Sequence, residues 1–413
     1  MKCTTLFTML VALLLLSAVQ ISFAQNLNLE QYLQNGNGAR AAGMGYAFTG
    51  LADDATAISW NTAGLTQLHS PEASIIARFG AGVMTPEYSD PSFTVDVTSG
   101  SKFQLNFASL AIPFSAGNLN VVGGVAYRRV YDFTMKNTAV IGIPEFNYEG
   151  ELVTDNSGGV DAISPAIGIQ FNEMISAGAA ANIFIGSTDY IESYNENMNV
   201  LGSYDFQYSE EYSGVSFDIG LLLKPSHQIQ LGANLNLPNA VTILEKSAEY
   251  EDYEYKLYVP FFFSVGAAFR VTDQLTLAAD YRSRPWSGAE IETEEETLSL
   301  EEALQDILND PELTVYNANS FHFGLEYLIS AGDFVLPLRA GFFTVPTPGE
   351  DDERNQIKYN SVTAGLGLVL GNIILDGSFE YMFGSYVLDA QDETKAKITD
   401  VRITLGGVIH LGG

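Results

Sequence analysis

QIQLGANLNL, residues 228–237, alternates without a break. Ile229, Leu231, Ala233, Leu235 and Leu237 fall on one face of an extended chain, and Gln228, Gln230, Gly232, Asn234 and Asn236 fall on the other. The same period recurs in LTLAADYR (275–282), SFHFGLEY (320–327) and VRITLGGVIHL (401–411). Marking every such run predicts about fourteen strands. They lie near 73–82, 103–114, 118–135, 159–171, 174–188, 212–224, 228–238, 256–271, 274–287, 319–330, 334–345, 357–370, 372–386 and 399–411.

The connections decide what the strands build. Short turns at 115–118, 172–173, 225–228, 272–274, 331–333 and 371–372 alternate with long polar insertions near 83–102, 136–158, 189–211, 239–255, 288–318, 346–356 and 387–398. Turns on one rim and loops on the other are the pattern of an up-and-down barrel that crosses a membrane. In such a barrel the apolar set faces lipid and the polar set faces the lumen, and closure removes the unpaired edges that hydrocarbon penalises. A soluble sandwich also alternates, but strands this long with aromatic ends fit the headgroup girdles of a membrane barrel better. Tyr127, Tyr131 and Phe133 form one such end, and Phe379, Tyr381 and Phe383 another. The fold class is therefore all-β, a transmembrane antiparallel barrel of about fourteen strands. One helix is expected in the fifth long insertion, at SLEEALQDILN (299–309), with Ser299 and Glu302 as a capping box and an apolar stripe of Leu300, Leu304, Ile307 and Leu308.

The chain begins with Lys2, an apolar run at 6–19 and Ser22-Phe23-Ala24, the layout of a cleaved export signal over 1–24. A membrane anchor would need roughly 20 apolar residues. Cys3 is the only cysteine among 413 residues and lies in that signal, so no disulfide is expected in the mature chain. The net charge of −31 excludes nucleic acid as a partner, while 46% hydrophobic residues exclude disorder. The acids cluster in ETEEE (292–296) and EDDE (350–353), as solvated loops do.

Residues 25–72 precede the first strand and have no period. Their centre, ARAAGMGYAFTGLADDATAISWNTAGL (39–65), is small, Gly-rich and nearly uncharged, which suits a plug folded inside a lumen. Three units follow: the signal at 1–24, the plug at 25–72 and the barrel at 73–413. This stretch resembles the N-terminal hatch of the FadL-type outer-membrane transporters of long-chain fatty acids and other hydrophobic compounds. Asn61, Ala63, Gly64 and Leu65 match the family's Asn-Pro-Ala…Gly-Leu signature, and Thr62 stands where the family has proline. The resemblance implies a monomer in the outer membrane of a Gram-negative-type cell. It would take a hydrophobic ligand from outside and release it sideways into membrane lipid through a gap at a kink in the third strand. That strand carries Gly123-Gly124, residues that bend a strand or let a plug pack closely. A PorV-like subgroup with a similar GARAAGMG front, here 38–45, implies the alternative of secretion components and exported protein as partners.

No catalytic constellation appears, so no enzyme is expected. His69, His227, His322 and His410 lack metal-ligand spacing, and no metal is expected. Gly36-Asn37-Gly38-Ala39-Arg40-Ala41 fits a dinucleotide fingerprint loosely, but no strand precedes it, so no cofactor is expected. The scarce cations are the candidate ligand groups. Alternation points Arg128, Arg282, Arg339 and Arg402 into the lumen, where a ligand carboxylate would need a partner. The competing role is pairing with the inward acids Asp132, Asp280, Asp376 and Glu380.

Overall fold

The structure is a computed structural model that describes residues 36–87, 94–100, 102–198, 202–332, 334–389 and 394–412. The export signal and residues 25–35 of the plug lie outside the described residues. Fourteen wall strands follow in chain order: β1 Glu72–Glu87, β2 Lys102–Ala116, β3 Leu119–Asp132, β4 Tyr148–Gln170, β5 Ile175–Ile185, β6 Tyr204–Leu223, β7 Ile229–Asn236, β8 Phe262–Arg270, β9 Leu275–Ser283, β10 Ser320–Ala331, β11 Phe334–Glu350, β12 Gln356–Leu370, β13 Ile373–Asp389 and β14 Thr394–His410. Each pairs antiparallel with the next. β14 returns to β1 from Glu72↔His410 to Glu87↔Lys395, which closes the barrel.

The outer face is apolar, as the alternation requires. Ile75, Phe103, Phe217, Leu277, Phe323 and Leu405 stand exposed along six different strands. An apolar belt around a closed barrel is the surface that meets lipid, and no helix among the described residues is long and apolar enough to cross a membrane. Phe379, Tyr381 and Phe383 join the belt. Tyr131 and Phe133 do not: they are 6% and 4% exposed and point inward. A bulge between Arg129 and Tyr131 in the β3–β4 ladder inserts one residue, and a one-residue shift exchanges the two faces beyond it.

Several long insertions are strands rather than loops. Met135–Ile143 pairs with the first half of β4, Ser187–Glu196 lies between β4 and β6, and Asn239–Ser247 pairs with β6 and with Tyr253–Val259. They raise the wall on one side into a tall rim. Their period was hidden because the face that carries tyrosine also carries glutamate and the other face is polar, as in ESYNE (192–196) and YDFQYSEEY (204–212).

α1 is the five-residue Ala39–Gly43 in the plug, and α2 is Leu300–Leu308 in the fifth insertion. Ser299 caps α2 by accepting from Glu302 N at 3.1 Å and donating to Glu302 Oε2 at 2.7 Å. These bonds hold the Glu302 carboxyl below its usual range. Leu300 and Leu304 enter an apolar cluster with Trp286, Val259 and Phe262, while Ile307 is 60% exposed. The stripe thus packs α2 onto the mouth of the barrel.

Candidate functional site: a seated plug and a seam in the wall

The plug from residue 36 onward fills the lumen toward the short-turn rim. After α1 come two 3-10 turns, Ala55–Ser59 and Thr62–Gln67. Met44, Tyr46, Phe48, Ile58 and Leu65 have at most 1% exposure, although they belong to a segment with no period of its own. What makes room for them is a girdle of lumen-facing glycines. Gly168, Gly178 and Gly220 stand directly opposite one another across β4, β5 and β6, Gly232 faces Gly266, and Gly324 faces Gly341. A Cβ at Gly178 would lie 2.5 Å from the Thr62 carbonyl carbon, and one at Gly324 would lie 2.5 Å from the Met44 carbonyl oxygen. At Gly232 and Gly341 it would fall into the plug backbone at Thr49 and Gly45. Hatch backbone and wall backbone therefore touch, which only glycine permits.

Polar fasteners hold the plug at this level. Asn61 has no exposure; its Oδ1 accepts from Ala63 N at 3.2 Å, and its Nδ2 donates to Thr49 O at 3.0 Å and to Leu221 O on β6 at 2.9 Å. One amide thus caps the second 3-10 turn, ties two parts of the plug and anchors both to the wall. Thr62 is the first residue of that turn, where proline is accommodated because its missing N–H has no helical role. The turn forms with threonine in its place. Asn61→Ala is expected to cost about 3 kcal/mol, since three buried groups lose partners at about 1 kcal/mol or more each. Thermal unfolding in detergent, compared with the wild type, measures the loss.

All four lumen arginines expected from alternation have a carboxylate partner. Arg339 meets Glu326 at 2.7 Å and Asp376 at 2.6 Å, and Arg402 meets Asp400 at 2.6 Å and Glu380 at 3.5 Å. Arg282 lies 4.0 Å from Asp280, donates to Tyr46 O and sits over the Trp60 ring. Arg128 pairs with Asp218 at 3.2 Å. Asp132 instead accepts from Gln104 and Arg129. Three further groups complete the fastening, and of these sequence reasoning missed only Arg40. Arg40 of the plug bridges Asp53 at 2.6 Å and Glu326 at 2.8 Å, which links plug to wall. Asp280 accepts from Phe48 N and Thr49 N at 2.8 and 2.7 Å. His322 bonds Gly45 O and Ser320, each at 2.8 Å, the filler role of a lumen histidine. Cross-strand register carried the signal for Glu326, because it faces Arg339 across β10 and β11.

The wall is not uniformly sealed. The β2–β3 ladder runs from Ala116↔Leu119 to Phe107↔Arg128 and stops. β2 continues to Lys102 against β1, and β3 continues to Asp132 against β4, so their upper edges face each other without a ladder. Both strands are bulged here, at Asn106 and at Val130. Of the two roles expected for Gly123-Gly124, a bend in the strand and close packing of the plug, the bend has no counterpart in the ladder, which carries no break at these residues. Both glycines are laddered on either side, to Ile112 and Ala111 on β2 and to Ile167 and Ala166 on β4. Gly124 instead gives space to Ile58 of the plug, 3.1 Å from where its Cβ would lie. The third strand does depart from its neighbour, but six residues farther along, where a bulge and not a glycine redirects it.

Side chains close this seam. Asn37 of the plug reaches both edges, with Nδ2 donating to Asn106 O at 2.9 Å and to Arg129 O at 3.4 Å. Gln104 of β2 donates to Asp132 of β3, while Arg129 is held to β4 by Asp161 at 2.6 Å. Val130 and Tyr131 also line a small cleft on the lumen side, so cleft and seam adjoin.

No protein-family model matches the chain, and no curated protein does. Solved structures match over most of its length. A FadL homologue from Pseudomonas aeruginosa is 12% identical with a TM-score of 0.61, over 91% of this chain and 98% of that one. The toluene transporter TodX of P. putida is 12% identical with a TM-score of 0.60, over 92% and 100%. The toluene transporter TbuX of Ralstonia pickettii is 13% identical with a TM-score of 0.58, over 92% and 100%. The resemblance read from the hatch motif thus extends to the whole architecture, and the chain has the FadL-type fold of an outer-membrane barrel.

Proposed function

We propose that this barrel carries small hydrophobic compounds across the outer membrane, from the long-loop rim into the cleft and then sideways into membrane lipid between β2 and β3. The observation that carries the reading is the seam. It is a stretch of wall closed by side chains, with the plug's own Asn37 bonded to both edges. A membrane barrel with an unpaired edge is costly unless other groups satisfy the backbone, and here the satisfying groups can move without unfolding a strand. The toluene transporters with the same fold support hydrophobic cargo.

Long-chain acids are the other occupant of the same route. Each expected lumen arginine is already paired with a carboxylate, so none offers a free cation to an acid head group. Handling of exported protein is disfavoured because the plug fills the lumen at the glycine girdle. Labelled toluene and labelled oleate supplied to cells expressing the protein test the reading. Toluene uptake several-fold above the empty vector is expected. Uptake equal to the vector for both compounds contradicts transport.

A further inference from the structure

With 50 acids against 19 lysines and arginines, the chain has carboxylates enough to pair every cation it carries. At the long-loop rim it does so for several. Lys136 meets Asp155 at 3.5 Å, Lys246 meets Glu211 at 2.7 Å and Lys256 meets Glu292 at 2.6 Å. Arg354, between β11 and β12, meets Asp310 at 2.7 Å and Glu350 at 2.5 Å. Lys358 on β12 and Lys395 on β14 are exposed as well, yet neither has a carboxylate within ion-pair distance among the described residues.

Both lysines stand on the outer face of the wall. Their chain neighbours Tyr359 and Ala396 are buried toward the lumen, while Val362 and Ile403, which share their parity, belong to the apolar belt. Lys397 is exposed on the same face as Lys395. The pairing of Tyr359 with Gly384 sets Lys358 beside Ser385, and Ser385 pairs with Lys397. Strand spacing then puts the bases of Lys358 and Lys397 about 10 Å apart, and strand rise puts those of Lys397 and Lys395 about 7 Å apart. Glu87 is opposite Lys395 on β1, one acid against three lysines across these rows. Two acids of the nearby 350–353 loop are engaged elsewhere, Glu350 by Arg354 and Asp351 by the backbone N–H of Asn355 at 2.9 Å. Tyr381 and Phe383 are exposed on β13 directly below Ser385, so the lysines crown the lipid-facing belt.

We propose that Lys358, Lys395 and Lys397 form a binding site for a multiply phosphorylated lipid head group of the outer leaflet. Long insertions mark the external rim of a membrane barrel, so the head groups that meet these ammonium groups belong to that leaflet. Lysine binds phosphate as a point charge, and lysines gathered beside a lipid-facing surface attract anionic head groups. Bases about 7 to 10 Å apart suit a head group with more than one phosphate. Continuity with the belt favours a lipid over a soluble anion, because acyl chains can lie along Tyr381 and Phe383 while the phosphates reach the lysines. The inference rests on the barrel and its belt and not on the cargo.

Titration of the full-length protein in a neutral detergent with diphosphoryl lipid A, followed by native mass spectrometry, tests this directly. The wild type is expected to bind the lipid, and more weakly as salt is raised. Changing Lys358, Lys395 and Lys397 together to Gln is expected to weaken binding about a hundredfold, about fivefold for each lysine. A control carrying Lys136→Gln, Lys246→Gln and Lys256→Gln alters the net charge equally and is expected to stay within about twofold of the wild type. Heat-modifiable gel mobility checks that both barrels have formed, and Lys358→Gln alone, expected to lose about fivefold, replaces the triple variant if that one does not fold. Unchanged binding in the lysine variant overturns the inference. An equal loss in the control overturns it too, since bulk charge would then explain the binding. Dephosphorylated lipid A binding as tightly as the diphosphoryl form, or no binding by the wild type, has the same consequence. Toluene uptake is read separately, so the transport reading stands or falls on its own.

Discussion

Replacing Gly341 by valine is expected to unseat the hatch while the barrel stays folded. Gly341 is on β11 against the plug at Gly45, and a Cβ there would lie 2.1 Å from Gly45 N and 2.4 Å from the Met44 carbonyl carbon, both plug backbone. Backbone cannot rotate away as a flexible side chain can, so the plug must move. Overpacking a well-filled interior costs about 1–3 kcal/mol even when side chains can adjust, and here the cost is expected at or above the top of that range. Gly232→Val, against Thr49, is expected to behave alike. Gly123→Val is the control: its nearest neighbour is the Phe114 side chain at 3.5 Å, so it is expected to be close to neutral. Single-channel conductance in planar bilayers separates these outcomes. The two girdle variants are expected to conduct well above the wild type because the lumen is vacated, and the control is expected not to. Heat-modifiable gel mobility checks that the barrel itself has formed.

Glu326→Ala is the second large effect. Glu326 accepts from Arg40 of the plug at 2.8 Å and from Arg339 of the wall at 2.7 Å. Its loss brings two guanidinium groups into the same buried space with one shared anion removed, although Arg40 keeps Asp53 and Arg339 keeps Asp376. Breaking a buried pair by deleting one partner costs about 3–5 kcal/mol. The variant is expected to melt earlier in detergent and to expose residues 39–60 to protease before the strands are cut. Melting and proteolysis unchanged from the wild type would mean that the glycine girdle alone seats the plug.

The wall was legible because alternation encodes it. Each of the fourteen runs read from the two-residue period is a wall strand, and the apolar set of residues 228–237 faces outward as read. Parity beyond a bulge was not legible. YRRVYDF (127–133) continues an apparent alternation through Val130, and only the ladder with β4 reveals the extra residue that turns Tyr131 and Phe133 inward. The girdle was half visible. Gly232 stood among the lumen-facing residues of the first stretch read, yet one lumen glycine in one strand has several explanations. Its meaning comes from register, which sets it opposite Gly266 and sets Gly324 opposite Gly341. The lumen acids Asp280, Asp376 and Glu380 were foreseen with the arginines that they meet. Asp218, the partner of Arg128, was not among the acids foreseen: the two lie on strands that are not neighbours, β3 and β6, and periodicity carries no information about which groups meet across a lumen.

Lateral release through the seam is the central claim, and locking the seam tests it most directly. Gln104 and Asp132 touch across it, and the sole native cysteine is Cys3 at the extreme N-terminus, so a Gln104→Cys, Asp132→Cys variant offers one defined pair for a short reducible bis-thiosulfonate linker. Toluene transfer into the lipid of proteoliposomes is expected to fall to the protein-free level when the linker is in place and to return when it is reduced. Transfer that continues unchanged with β2 and β3 tied together would contradict the account.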